Sequence, residues 1–213
     1  VLFGMRENPI TENEDSNSSN NTNNVAVKLK KKFIWGFSIA YFCEGAGYII
    51  TGTFLVAIVK SIPELADYAA LSWMFVGLGA IPSTILWSMM ANKLGHAKAI
   101  YLAFILQIIA VVLPVFSGSM MSLVISSLFF GATFLGLTTL FMSKAQTLMF
   151  ESASKINLVA SLTVIYSLGQ MIAPAFSGVL IGESGNYNAA LIFAAVILCI
   201  GLLSSFYSYR VTD

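Results

Sequence analysis

Tyr41, Glu44, Tyr48 and Thr51 are spaced three, four and three residues apart, so on a helix they share one face. Glu44 is the group that could do chemistry. The chain has 10 acidic residues, and Glu44 alone lies deep inside an apolar run. A charge at the centre of a membrane helix costs roughly 2.5–3.5 kcal/mol on insertion scales. The side chain must therefore face protein or a water-filled cavity, or hold a proton. No Lys or Arg lies at similar depth, so a cationic partner would have to come from outside the chain or be the substrate. The chemistry on offer is a carboxyl that exchanges a proton or recognises a cation. The competing reading is a protonated Glu that only packs. A second stripe, Thr163, Ser167, Gln170, Pro174 and Ser177 with Tyr166 beside it, repeats the pattern later in the chain. Gln170 has a full amide to satisfy, from water, a ligand or a Ser or Thr of a neighbouring helix. The two stripes point to a shared cavity.

Other chemistries have little to stand on. His96 is the single histidine and the two cysteines, Cys43 and Cys199, both fall in apolar runs as reduced, packed thiols. There is no metal-ligand spacing, nucleophile–base pair or phosphate loop, so neither an enzyme nor a cofactor is expected. No basic groove with interleaved aromatics is present, and no nucleic-acid partner is expected.

The stripes must be held by membrane helices. The chain has 213 residues, 57% hydrophobic and only 10% charged, too little charge to cover a soluble surface. Six apolar segments, at 33–59, 68–91, 97–116, 120–143, 156–182 and 187–209, each reach the length of about 20 residues that spans a bilayer. Backbone in lipid must satisfy its own hydrogen bonds, so the expected class is an all-α polytopic membrane protein. Reading the sides alternately puts Lys28, Lys30, Lys31, Lys32, Lys93, Lys98, Lys144, Lys155 and Arg210 on one side and Lys60 alone on the other. Cytoplasmic loops hold the excess of Lys and Arg, which places both ends in the cytoplasm.

Residues 1–32 form the first expected domain. Glu7 to Asn24 is rich in Asn, Ser and Glu and cannot bury enough surface to order itself. Lys28 to Lys32 then reads as a topology anchor in preference to a specific lipid site. Residues 33–213 form the second domain, a six-helix bundle. The chain starts at Val1, and its first residues read as a cut inside a longer protein.

The six helices read as three plus three. Gly45-Ala46 aligns with Gly131-Ala132, and Thr53 with Thr139 at the same offset. Gly77 with Pro82 aligns with Gly169 and Pro174. Units with an odd number of crossings insert in opposite orientations. Gly178-x-x-x-Gly182 and Ala132-x-x-x-Gly136 are expected at close helix contacts. Pro82, Pro114 and Pro174 are expected to kink helices. Trp35, Trp73 and Trp87, near span ends, read as interfacial anchors. Thr133 is expected to bond its own backbone, and Gln107 to be structural.

Ser88 to Lys98 resembles the inside-loop motif of the major facilitator superfamily, roughly G-x-x-x-D-R-x-G-R-(R/K). Lys93 and Gly95 stand at the Arg and Gly positions. Ser88 replaces the first Gly, Asn92 the Asp and His96 the second Arg, and losing the Asp charge weakens any ion-paired latch. Gly45 to Leu55, Trp73 to Ser83, Phe130 to Gly136 and Tyr166 to Pro174 are similar to the bacterial YbfB/YjiJ-type branch of that superfamily. The resemblance spans about Phe33 to Tyr209. It implies the C-terminal half of a twelve-helix secondary transporter in a bacterial inner membrane, with an N-terminal six-helix half as partner and residues 1–32 as the linker between them. It implies that the first, second, fourth and fifth helices face a central cavity and the third and sixth face lipid. The expected function is proton-coupled transport of a small molecule by alternating access, with Glu44, Tyr41, Tyr48, Thr51, Tyr166 and Gln170 at the substrate or proton site. The alternative is a non-transporting scaffold, assembly factor or receptor.

Overall fold

A computed structural model describes residues 31–61, 63–151, 157–182, 185 and 187–211. The expected linker up to residue 30, with Lys28 and Lys30, and Lys155 lie outside these described residues. Among the described residues, seven α-helices follow one another: α1 (Lys31–Lys60), α2 (Leu71–Ala80), α3 (Ser83–Leu94), α4 (His96–Phe116), α5 (Met120–Glu151), α6 (Leu158–Ile181) and α7 (Tyr187–Arg210). A single 3-10 segment, Pro63–Tyr68, joins α1 to α2. Counting α2 and α3 as one crossing, the described residues contain six helical spans long and apolar enough to cross a membrane. This is the expected all-α six-helix bundle. The second span breaks at Ile81-Pro82, because Pro82 has no N–H to continue the ladder. Pro114 and Pro174 sit inside α4 and α6 without ending them. The fourth span continues past the expected 143 to Glu151 and places Lys144 on a helix.

The helices are swapped between triplets. α1 packs chiefly on α6 and α7, and α5 chiefly on α2, α3 and α4. The first helix of each triplet thus lies against the second and third of the other. The two crossings match in detail. A Cβ on Gly45 would fall 2.7 Å from the Tyr166 carbonyl oxygen, and one on Gly169 would fall 2.5 Å from that of Phe42 and 3.1 Å from the Ala46 nitrogen. On the other side, a Cβ on Gly131 would collide with the Val76 carbonyl, and one on Gly79 with the Leu128 carbonyl. The offset that carries Gly45 to Gly131 also carries Phe42 to Leu128 and Ala46 to Ala132, and the offset from Val76 to Tyr166 carries Gly79 to Gly169. Backbones this close exchange dispersion contacts and weak Cα–H···O bonds that larger side chains would prevent.

This register corrects the alignment by sequence. The mate of Gly169 is Gly79, not Gly77, whose missing Cβ would meet open space. Gly178 and Gly182 also face open space. Gly182 instead ends α6 at φ +52, a conformation that favours glycine. Ala132-x-x-x-Gly136 does mark a close contact, and its partner is Trp87. Trp87 is not an interfacial anchor. It is buried, its ring fills the space that Gly136 leaves open, and its Nε1–H donates to the Ala132 carbonyl at 2.7 Å. Ser83, at the start of α3, donates to the same oxygen at 2.6 Å. The two donors clamp the restarted half of the broken span onto α5. Replacing Trp87 with Phe deletes one bond and puts a smaller ring in the space beside Gly136; the expected loss is about 1–3 kcal/mol, read as a lower unfolding midpoint in detergent.

Candidate functional site: an enclosed carboxyl between aromatic tiers

Glu44 lies near the middle of α1 and is completely buried. One turn before it, the Tyr41 ring stacks on Phe141 of α5, centroids 4.7 Å apart, and on Tyr166 of α6, 4.6 Å apart. One turn after it, the Tyr48 ring stacks on Phe134 of α5 at 5.0 Å. These aromatic tiers follow from the helical spacing of Tyr41 and Tyr48 on either side of Glu44. They join α1 to α5 through side chains, above and below the carboxyl. Behind it, α4 and α7 close in at Gly201, where a Cβ would lie 2.9 Å from the Cys43 Cβ and 3.0 Å from the Phe104 ring.

The polar groups that act on the carboxyl are the Tyr166 hydroxyl and the Gln107 amide. Tyr41 and Tyr48 also lie within reach of its charge. Thr138 reaches Tyr41 and Tyr166. Yet neither carboxyl oxygen of Glu44, neither heteroatom of the Gln107 amide, nor the Thr51 hydroxyl has a hydrogen-bond partner of good geometry among the described residues. All are shut away from solvent. Each unmade bond in such a place costs about 1–3 kcal/mol. Polar groups are normally paired when buried, so this cluster is an exception that calls for a physical cause.

The expected site residues divide. Tyr41, Glu44 and Thr51 are buried and Tyr48 and Tyr166 are half-buried; Tyr41, Glu44, Tyr48 and Tyr166 form one interior cluster with Gln107 and Thr138, and Thr51 lies two turns further along α1. The stripe on α1 does not line an open cavity within this bundle, because Phe130, Phe134 and Phe141 fill the space it faces. The stripe on α6 does not hold together. Thr163 and Ser167 are exposed, Gln170 and Pro174 are half-buried, and Ser177 is buried and donates to the Ala173 carbonyl at 2.9 Å. Thr163 likewise bonds within its helix, to the Val159 carbonyl. Thr133 bonds the Phe129 carbonyl at 2.8 Å, as expected of it. Of the cysteines, Cys43 is buried and Cys199 is exposed, and both are free.

Gln107, expected to be structural, is a further polar group beside Glu44. Read as the only strong polar group on a helix placed toward lipid, it pointed to structure. α4 instead contributes a fully buried face, and that face reaches Glu44. Thr138 carried no signal in the sequence, since its hydroxyl also bonds the Phe134 carbonyl like any helical Thr.

The loop motif lies apart from this cluster, at the junction of α3 and α4. Asn92, Lys93 and Gly95 are all exposed. Gly95 separates α3 from α4 at φ +89, where a Cβ is strained. Just past it, His96 Nε2 lies 3.1 Å from Ser143 Oγ and ties the loop to α5. Gly95→Ala is expected to cost about 1 kcal/mol or more, measured as a lowered melting midpoint with the helical content unchanged.

No curated protein matches this chain. A family model described as "Uncharacterised MFS-type transporter YbfB" matches residues 7–205. That match spans nearly all of the chain and includes both halves of the three-plus-three bundle and the enclosed carboxyl. The chain therefore belongs to the YbfB family of MFS-type transporters, multi-pass membrane proteins that move small molecules.

Proposed function

We propose that the protein is the C-terminal half of a secondary active transporter that works by alternating access, with Glu44 as the proton-coupling group. The observation behind this reading is the enclosed carboxyl without a bonded partner. A packing role would be served better by an apolar side chain, since an isolated charge in protein costs several kcal/mol. A group that alternates between proton and carboxylate must instead avoid being locked by a permanent cation. Tyr41, Tyr48 and Tyr166 then act as the aromatic walls around it, with Gln107 and Tyr166 as the groups that can donate to the carboxylate. Gln170 and Thr51 complete the proposed lining. In an alternating-access cycle, the α1–α5 aromatic tiers are the contacts that open and close.

The α2–α3 span and α6 are the least buried of the six. Their exposed rows, such as Met74, Leu78 and Ile85 on one and Val164, Met171 and Phe176 on the other, are apolar. These surfaces suit a second six-helix bundle across a central pathway, which is the partner half proposed here. Lys31 and Lys32, Lys93 and Lys98, and Arg210 sit at span ends that alternate to one side, and Lys60 sits on the other. This supports cytoplasmic termini.

Carbodiimides add to protonated carboxyls in apolar surroundings, which gives a test that needs no known substrate. In membrane vesicles, dicyclohexylcarbodiimide is expected to modify Glu44 at acidic pH and less at alkaline pH, with the modified peptide identified by mass spectrometry. Absence of modification across the whole pH range would remove the protonatable role.

A further inference from the structure

The start of α1 carries a feature apart from the cluster around Glu44. Trp35 stands out from the bundle at 71% exposure. On each side of it runs a groove, and both grooves share Trp35 and Ile39 as their common ridge. The groove toward α6 is floored by Phe42 and Ile165, encloses about 360 Å³ and is almost wholly apolar. The groove toward α7 encloses about 320 Å³. Its floor is opened by Gly36, where α1 and α7 come close enough for Ser204 to donate to the Gly36 carbonyl at 2.9 Å. Tyr207, half exposed, stands along that groove, and Lys31 and Lys32 stand at its mouth. Among the described residues, no acidic residue lines either groove.

Two apolar grooves that share one ridge, with two cations at the mouth of the α7-side groove, fit two acyl chains below a phosphate. We infer that this edge of α1 is a binding site for a glycerophospholipid with an anionic headgroup, its chains lying on either side of Trp35 and its phosphate between Lys31 and Lys32. Charge complementarity selects the headgroup, since basic pockets between helices at a membrane surface hold anionic lipids. The indole and phenol of Trp35 and Tyr207 belong at that depth, where amphipathic rings meet headgroups. The site goes beyond a topology anchor, which requires the lysines but no grooves. It is independent of the role proposed for Glu44.

The full chain in detergent is offered phosphatidylglycerol or phosphatidylcholine with identical chains, and retained lipid is counted by native mass spectrometry. The expected result is a preference for phosphatidylglycerol of about tenfold. Lys31→Gln combined with Lys32→Gln is expected to abolish the preference. Ser38→Phe, which fills the α6-side groove without touching a charge, is expected to lower retention of both lipids. Lys93→Gln combined with Lys98→Gln removes two exposed cations outside the grooves and is expected to change nothing. Circular dichroism and a monodisperse elution profile establish that each variant is folded; if Ser38→Phe fails this check, Ser38→Leu replaces it. Equal retention of the two lipids by the native chain overturns the site. So does an equal loss in the Lys93 and Lys98 pair, which would reduce the effect to general surface charge.

Discussion

Gly131→Leu and Gly79→Leu are expected to yield no monodisperse protein, while Gly77→Leu is expected to purify like the native chain. The contrast between Gly77 and Gly79, two residues apart on one short helix, follows from the α2–α5 crossing. At Gly79 and Gly131 the first atom of a side chain would strike main-chain carbonyls of the facing helix, at Leu128 and Val76. Main chain cannot rotate away as a side chain can. Overpacking a core by a few methylenes costs about 1–3 kcal/mol when neighbours can shift. Here the two helices would have to part, and the Trp87 and Ser83 bonds to Ala132 would go with them. At Gly77 nothing lies within 4 Å of a built Cβ. Size-exclusion profiles and thermal midpoints of the three variants decide the matter. A well-behaved Gly131→Leu protein would show that the crossing is looser than described.

Glu44→Lys is expected to abolish folding, and Glu44→Gln to preserve it. The Lys variant puts a cation where the surrounding groups are phenol rings, a Thr and an amide, with no carboxylate among the described residues to pair with. Uncompensated buried charge costs about 3–5 kcal/mol, a large share of the roughly 5–15 kcal/mol by which most proteins are stable. Gln has nearly the shape of Glu and no charge, and its amide can bond Gln107 or Tyr166. Its unfolding midpoint is expected to equal or exceed the native value. Denaturant titration followed by tryptophan fluorescence measures both. A stable Glu44→Lys protein would mean that water reaches the site, contrary to its complete burial.

Hydropathy was sufficient to find the six spans, because a bilayer demands apolar length and leaves little else to decide. It failed at the end of α5, where Lys144 and Gln146 look like a loop but helical hydrogen bonding continues to Glu151. Glu44 was legible because one acid in an apolar run violates the cost rule by itself. Its neighbours were only half legible. Tyr41 and Tyr48 follow from spacing on the same helix. Gln107 and Thr138 come from α4 and α5, and which faces of separate helices meet depends on packing that one sequence does not encode in its period. The glycines make the same point. Gly77, Gly79 and Gly178 look alike in sequence, and only the facing helix distinguishes the one in contact from the two that are not. Trp87 read as an anchor from its depth, whereas Gly136, far along the chain, provides the pocket that buries it.

The central claim is that the Glu44 carboxyl takes up and releases the coupled proton. The most direct test is proton uptake evoked by substrate. Vesicles made from cells that produce the protein would be screened with a panel of small molecules, using a pH-sensitive dye in weak buffer, and compounds that evoke uptake only when the protein is present would be kept. With those compounds, the native protein is expected to draw protons across the membrane, and a correctly folded Glu44→Gln protein is expected to draw none. Undiminished uptake in that variant would contradict the account.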